Sequence, residues 1–249
     1  MTQHNITMPF WLDPQPVFFP PTHLAMIEPD GLLAVGGDLT PEWLLHAYSK
    51  GIFPWFNPEE PILWWTPNPR SVLFLDDVKL RKSLKKRLRQ LLKNPGFSVK
   101  FDCNFKEVMS QCAQMPRHGQ DGTWISNAMI KAYEKLHQAG HAHSVEVYLD
   151  DQLIGGLYGV AIGKMFYGES MFAKQTDASK IALIVLANQL KEWGFRAIDT
   201  QVETAHLNSL GAQCISRLAF EGLIAQQTAK PFPAKKWHLD SQWHQKLLG

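Results

Sequence analysis

Leucines recur at helical spacing through VKLRKSLKKRLRQLLKNPGFSVK, residues 78–100: Leu80, Leu84, Leu88, Leu91 and Leu92 form one stripe, and the charged positions around them are all cationic. This predicts an amphipathic helix that ends at Asn94-Pro95-Gly96. A second helix is predicted in SNAMIKAYEKLHQAG, with Ser126 as its N-cap and Gly140 as its stop. The period then changes to two. SVEVYLD reads as a strand, and QLIGGLYGVAIG with KMFYGESMF reads as a hairpin turning near Gly163-Lys164. The helix ASKIALIVLANQLKEWG closes at Gly194, the strand FRAIDTQV follows, and two helical pieces fill roughly 205–228.

Residues 1–70 look different, being rich in proline, glycine and aromatics, with one short helix predicted in PEWLLHAYSKG and stopped by Gly51. In IFPWFNPEEPILWWTPNPRSV, residues 52–72, five prolines surround Trp55, Trp64 and Trp65. Proline fixes φ, removes a donor and biases its predecessor toward extended geometry, so this stretch is expected to be a stiff loop with neither a helix nor a central strand. Its aromatics either plug a core or face a ligand; Trp64 and Trp65, adjacent in the loop, are expected to pack. The expected organisation is a small N-terminal domain, 1–70, and a larger domain, 71–249.

With 249 residues, 45% of them hydrophobic, the chain can bury a sizeable core. The longest apolar run, IALIVLA, is too short to span a bilayer, and no signal-peptide pattern opens the chain; a cytoplasmic protein without membrane contact is expected. The three cysteines form no CxxC pair, which argues against a disulfide framework or a cysteine zinc site. His141 and His143 share a strand face, but no third ligand accompanies them, so no metal is expected. The net charge of +2 is uneven: Lys79, Arg81, Lys82, Lys85, Lys86, Arg87, Arg89 and Lys93 cluster in the first helix segment with no acid among them. A solvated face would explain some of this, but a run of this density points to a polyanion, with the cations gripping phosphates and not reading sequence.

The order of elements, helices first, then an antiparallel hairpin, then strand, helix, strand, helix, is the order of the GNAT acyltransferase fold. The expected class is α+β: a small irregular N-terminal domain and a GNAT-like domain whose mixed, mainly antiparallel sheet is flanked by helices. Acetyl-CoA-binding members carry a glycine-rich loop whose amides hold pyrophosphate at a helix N-terminus. The matching connection here, FAKQTDASKIA, has no glycine, which disfavours a CoA-dependent N-acetyltransferase.

Several strings agree in order along nearly the whole chain: EPDGLLAVGGDL, AYSKGIFPWF, PILWWTPNPR, GTWI, LHQAGHAHSVEVY, GGLYGVAIG, FYGESMF, ASKIAL and IDTQV. Together they resemble the bacterial leucyl/phenylalanyl-tRNA–protein transferases. The resemblance implies transfer of leucine or phenylalanine, and less well methionine, from leucyl-tRNA or phenylalanyl-tRNA to proteins beginning with arginine or lysine, which marks them for N-end rule degradation. It implies a monomer that needs no cofactor. By motif position it assigns aminoacyl-adenosine binding to Trp55 and Trp124, with Tyr48 and Tyr133 nearby, and the aminoacyl side-chain pocket to Leu157, Phe166, Met171 and Leu186. Lys79, Arg81, Lys82, Lys85, Lys86, Arg87 and Arg89 are then the tRNA phosphate grip.

The reaction is aminolysis of an already activated ester, so juxtaposition removes much of the barrier and no enzyme nucleophile is needed. In FRAIDTQV the period of two puts Asp199 and Gln201 on one face, where they are expected to touch each other and the substrate together. The resemblance implies an amine-deprotonating relay through this pair; a primary amide is a poor base, and an orienting role for Gln201, held by Asp199, is the alternative. Glu169 is expected at the C-terminal end of its strand, selecting the acceptor's basic side chain. A rival of another class is a tRNA-binding protein that does no chemistry; Asp199, Gln201 and Glu169 beside an apolar cleft argue against it.

Overall fold

The computed structural model describes residues 8–115 and 125–249. It holds two sheets. The first is built from β1 (Phe10–Leu12), β2 (Leu32–Gly36), β3 (Phe53–Pro54) and β4 (Leu63–Trp65) in the order β1-β2-β4-β3, with α1 (Pro41–Ser49) between β2 and β3. Here the proline-rich stretch corrects its reading. β4 is an interior strand, paired with β2 on one side and β3 on the other. The five prolines flank Leu63–Trp65 and do not interrupt it, and Pro54 sits on the edge strand, where a missing donor costs no ladder bond. Trp64 is fully buried, stacked on Trp43 of α1.

The second sheet begins with β5 (Arg70–Phe74). After it come α2 (Lys82–Leu91), β6 (Phe97–Phe101), α3 (Phe105–Gln114), α4 (Asn127–Gln138), β7 (Ala142–Leu149), β8 (Gln152–Ile162), β9 (Met165–Ala173), α5 (Ala178–Glu192), β10 (Ala197–Gln201), α6 (Ala205–Leu210), β11 (Gln213–Ile215), α7 (Arg217–Thr228) and α8 (Trp243–Leu248). The strand order is β11-β5-β10-β9-β8-β7-β6. Only β9 and β10 run parallel; the other neighbours are antiparallel. This is a mixed, mainly antiparallel sheet with helices on both faces. The periodic reading found α2, α4, the β8–β9 hairpin and α5, and it missed β5, β6, α3 and β11.

Alternation along the strands divides the core. On β8, Tyr158 and Val160 join the apolar cluster that also holds α1, α3, α4 and the first sheet, whereas Leu157 and Ala161 join the cluster built around α5, α2 and α8. The uniformly apolar segment 181–187 of α5 is buried all round because the sheet covers one side and α8 with the C-terminal segment covers the other. Gly155 permits this packing: a Cβ there would lie 2.4 Å from the Cβ of Ala178. Among the described residues no helix is long and apolar enough to cross a membrane.

Candidate active site

β9 and β10 share only two registered pairs, Ile198 with Phe166 and Asp199 with Tyr167. β10 then stops at Gln201 while β9 runs on to Ala173. The gap left beside β9 is a cleft of about 280 Å³. Leu157, Phe166, Met171 and Leu186 all line it, joined by Leu183 and Ile198, so the four residues expected to form an apolar pocket lie on one surface. Gln201 and Glu169 supply polar groups to the same cleft.

Asp199 and Gln201 do not share a face, which corrects the reading from strand alternation. The β5–β10 register shifts between them, and Gln201 has φ +63°, in the left-handed region. That turn carries Gln201 into the cleft, while Asp199 stays wholly buried on the opposite side of the sheet. The two touch through the backbone: the Gln201 amide N–H donates to Asp199 Oδ1 at 2.9 Å. Arg70, equally buried, closes a fork on the same carboxylate, Nε to Oδ1 at 2.8 Å and Nη2 to Oδ2 at 2.7 Å.

The side-chain partner of Gln201 is Glu169; Nε2 donates to Oε1 at 2.7 Å. Glu169 lies in the middle of β9, not at its C-terminal end as the sequence suggested. Tyr133 donates its hydroxyl to Oε2 at 3.0 Å and is itself hydrogen-bonded to Tyr48. Burial pushes the Glu169 carboxyl up to about 7, and the hydrogen bonds from Tyr48, Tyr133 and Gln201 pull the other way without cancelling it. Burial, reinforced by the Glu169 charge, raises both tyrosine hydroxyls well above their ordinary value, so both remain donors.

Tyr48 and Tyr133 therefore do not offer stacking faces to a base. Both rings are completely enclosed in the core, with the Tyr133 hydroxyl bonded to Glu169 and to the Tyr48 hydroxyl. Trp55 is different: its ring is about one-third exposed. It lines a separate shallow groove with Trp65, Phe56, Leu63 and Pro29, and its backbone carbonyl accepts from the Trp65 indole at 2.6 Å. Trp124 lies outside the described residues.

The cleft also contains residues the sequence did not single out. Thr204 caps α6, accepting from Leu207 N–H at 3.1 Å, and His206 sits in the first turn of that helix. Both line the cleft with Thr200. Burial, and then the nearby Lys180 charge, lower His206 below its ordinary value. A Thr-x-His at a helix start just after a strand end was the available signal. His143 is used elsewhere, its Nδ1 2.8 Å from Asp102 and its ring stacked on Trp237.

On α2, Leu84, Leu88 and Leu91 are buried, and the opposite side presents Lys82, Lys85, Lys86, Arg89 and Lys93 along one shallow groove. Lys79 and Arg81 precede the helix, exposed, and Arg87 lies on a half-buried side away from the groove.

Residues 72–225 match the family described as leucyl/phenylalanyl-tRNA protein transferase, and residues 37–68 match the description of its N-terminal domain. The leucyl/phenylalanyl-tRNA–protein transferase of Hydrogenovibrio crunogenus is 65% identical over 98% of this chain and 93% of its own. Those of Nitrosomonas eutropha and Thiobacillus denitrificans are each 54% identical, over 90% of this chain and 94% and 96% of theirs. Among solved structures, L-PGS from Bacillus licheniformis aligns over 71% of this chain and 57% of its own at 11% identity, with a TM-score of 0.37, too weak a likeness to bear on the fold.

Proposed function

Since the chain belongs to the leucyl/phenylalanyl-tRNA–protein transferase family, an aminoacyltransferase family, we propose that it moves leucine or phenylalanine, and methionine less well, from aminoacyl-tRNA onto proteins beginning with arginine or lysine. The product is a substrate for N-end rule degradation. One observation carries the assignment to a site: an apolar cleft opens where β9 and β10 part, and a desolvated Glu169 bonded to Gln201 lies in it.

In the proposed reaction the acceptor nitrogen bonds to the aminoacyl carbonyl carbon, the ester C–O bond breaks, and the ribose hydroxyl leaves. One proton passes from nitrogen to the departing oxygen through water or the neighbouring ribose hydroxyl. Leu157, Phe166, Met171 and Leu186 receive the aminoacyl side chain. Such a pocket excludes by shape at about 1–3 kcal/mol per methylene, which suits a broad preference for long side chains unbranched at Cβ. Gln201 orients the attacking amine, Asp199 fixes the backbone of Gln201, and Glu169 takes the positive charge of the acceptor's first residue. Trp55 and Trp124 stack on the terminal adenosine.

The larger domain, 71–249, is proposed to be GNAT-like, supported by the parting of its parallel strands beside α5; residues 1–70 form the smaller domain. The enzyme is proposed to act as a monomer and without a cofactor.

The first test mixes purified protein with tRNA charged with radiolabelled leucine and a peptide beginning with arginine, without CoA, ATP or metal. Label is expected in the peptide and is expected to vanish when the first residue is alanine. Absence of transfer, with tRNA still bound, would favour the non-catalytic RNA-binding reading.

The α2 groove gives a second expectation. Replacing Lys85, Lys86 and Arg89 together with alanine should weaken tRNA binding and flatten the slope of log affinity against log salt by about 2–3, at roughly 0.9 per lost phosphate contact. The rate at saturating tRNA should change little. An unchanged salt slope would remove α2 from the tRNA path.

A further inference from the structure

We propose that Arg70 is a positioning residue of the transfer reaction, acting on Gln201 through Asp199 and tying that pair to the first sheet and to α7. The proposal rests on reading the β9–β10 cleft as the transfer site.

Arg70 opens β5 and is buried. Its fork spans both oxygens of Asp199, a residue 129 positions away in the chain. Its guanidinium lies over the Phe53 ring of β3, 4.7 Å from the centroid, and over the Phe220 ring of α7, at 4.6 Å. Two aromatic faces and a carboxylate thus fix the plane and the direction of the guanidinium. Asp199 Oδ1, which receives Arg70 Nε, also receives the Gln201 amide N–H.

Gln201 is held at φ +63°, a conformation that residues with side chains adopt at a cost. The bond to Asp199 holds it there, and that conformation turns Nε2 toward Glu169. A buried carboxylate can serve as this anchor only while it is charge-paired and aimed, and Arg70 does both. The path therefore runs from Phe53 and Phe220 through Arg70 and Asp199 to the cleft. Phe53 lies on β3, two residues before Trp55, so the same contact links the segment that leads to Trp55 to the site. Lysine could supply the charge, but neither the fork nor the flat surface between two rings.

The test uses the full-length protein, with kcat and KM measured for leucyl-tRNA and an arginine-first peptide and with melting followed by circular dichroism. The variants are Arg70→Met, Arg70→Lys, Asp199→Asn and the double variant Arg70→Met/Asp199→Asn. Folded Arg70→Met and Arg70→Lys are expected to lose about 100-fold in kcat, the scale of a 1 Å misplacement, with KM values within about twofold of wild type. The double variant is expected to be no slower than the slower single variant, because both changes interrupt one path.

A contact that served only the fold would lower the melting temperature and leave kcat unmoved, and that result overturns the proposal. Losses that multiply in the double variant also overturn it. Should Arg70→Met leave Asp199 unpaired and fail to fold, Arg70→Lys and the double variant carry the comparison, since neither buries a lone charge. A wild-type protein that transfers nothing overturns the reading of the cleft and this proposal with it. Wild-type transfer alongside an unmoved kcat in Arg70→Lys overturns the proposal alone.

Discussion

Changing Glu169 to glutamine should lower kcat/KM for an arginine-first acceptor by about 100-fold, mostly through KM, and should remove an acid limb near pH 7 from the kcat/KM profile. A lost charge partner in a desolvated site costs about 2–5 kcal/mol, which brackets that factor. The sign of the limb follows from the carboxyl itself. Burial has pushed it up to about 7, so below that pH it is protonated and uncharged, and above it the carboxylate can pair with a cation. Activity should therefore rise with pH through about 7 in the wild type. In Glu169→Gln only the limb from the acceptor amine, near pH 8, should remain. Because kcat/KM reports the free enzyme, the limb near 7 belongs to that quantity; a bound cation would hold Glu169 ionised in the complex and flatten it in kcat. An equal loss with a neutral acceptor, or a drop confined to kcat, would show that Glu169 does not select charge.

The same shift makes a stability expectation of opposite direction. The Glu169 carboxyl is raised on folding above its ordinary 4.5, so its favourable contribution is complete below about 4.5 and is lost as pH rises through about 7. At pH 8 the wild type carries a desolvated charge that glutamine does not; the amide oxygen can accept from Tyr133, and the second bond is kept when the Gln201 amide turns to present its oxygen to the new NH2. Glu169→Gln should then melt a few degrees higher than wild type at pH 8, at about 2–4 °C per kcal/mol, and the difference should shrink toward pH 4.5.

Why the sequence revealed the apolar pocket and not the polar network is visible in particular residues. α4 announces itself by period and α5 by a long apolar run that closes at Gly194, and Ser126 supplies a cap that the structure uses, accepting from Met129 N–H at 3.2 Å. The pocket residues on β8, β9 and α5 come from adjacent, strongly patterned elements, and the family motifs already name them. α3 gives a weaker start signal, since Asn104 at its N-cap makes no side-chain capping bond. β4 was hidden by prolines that lie on either side of it. The polar network is the hardest part to read, because its contacts are remote in sequence: Arg70 and Asp199 are 129 residues apart, and Tyr48 and Tyr133 are 85 apart. Nothing local marks Gln201 as left-handed, since positive φ is ordinarily the property of glycine. Alternation consequently put Asp199 and Gln201 on one face, and the bulge separates them.

Removing the Gln201 side chain by Gln201→Ala should slow single-turnover transfer about 100- to 1000-fold and leave tRNA affinity near that of the wild type, the range seen when one preorganised polar group is lost from a reacting centre. Nε2 stands 2.7 Å from Glu169 Oε1, inside the cleft and beside the apolar pocket. The attacking amine can donate to the Gln201 carbonyl oxygen, whose direction the bond from Nε2 to Glu169 fixes, so that the lone pair is turned toward the ester carbon. Gln201→Glu is the sharper comparison. It keeps the size and the acceptor oxygen but sets two carboxyls within hydrogen-bond distance, where they can hold only one proton between them near neutrality. An enzyme that used Gln201 as a proton acceptor would gain a better base by this change. One that uses it to orient the amine would keep a donor to Glu169 only while that proton is shared, and would lose the alignment and the rate as the pair ionises with rising pH. A Gln201→Glu variant with wild-type single-turnover rates across the pH range would exclude both roles, whereas a variant faster than wild type at high pH, where the new carboxyl is ionised, would favour proton transfer. The expected slow variant, with its fold intact, would make Gln201 an orienting group whose effect depends on the backbone turn that Asp199 holds.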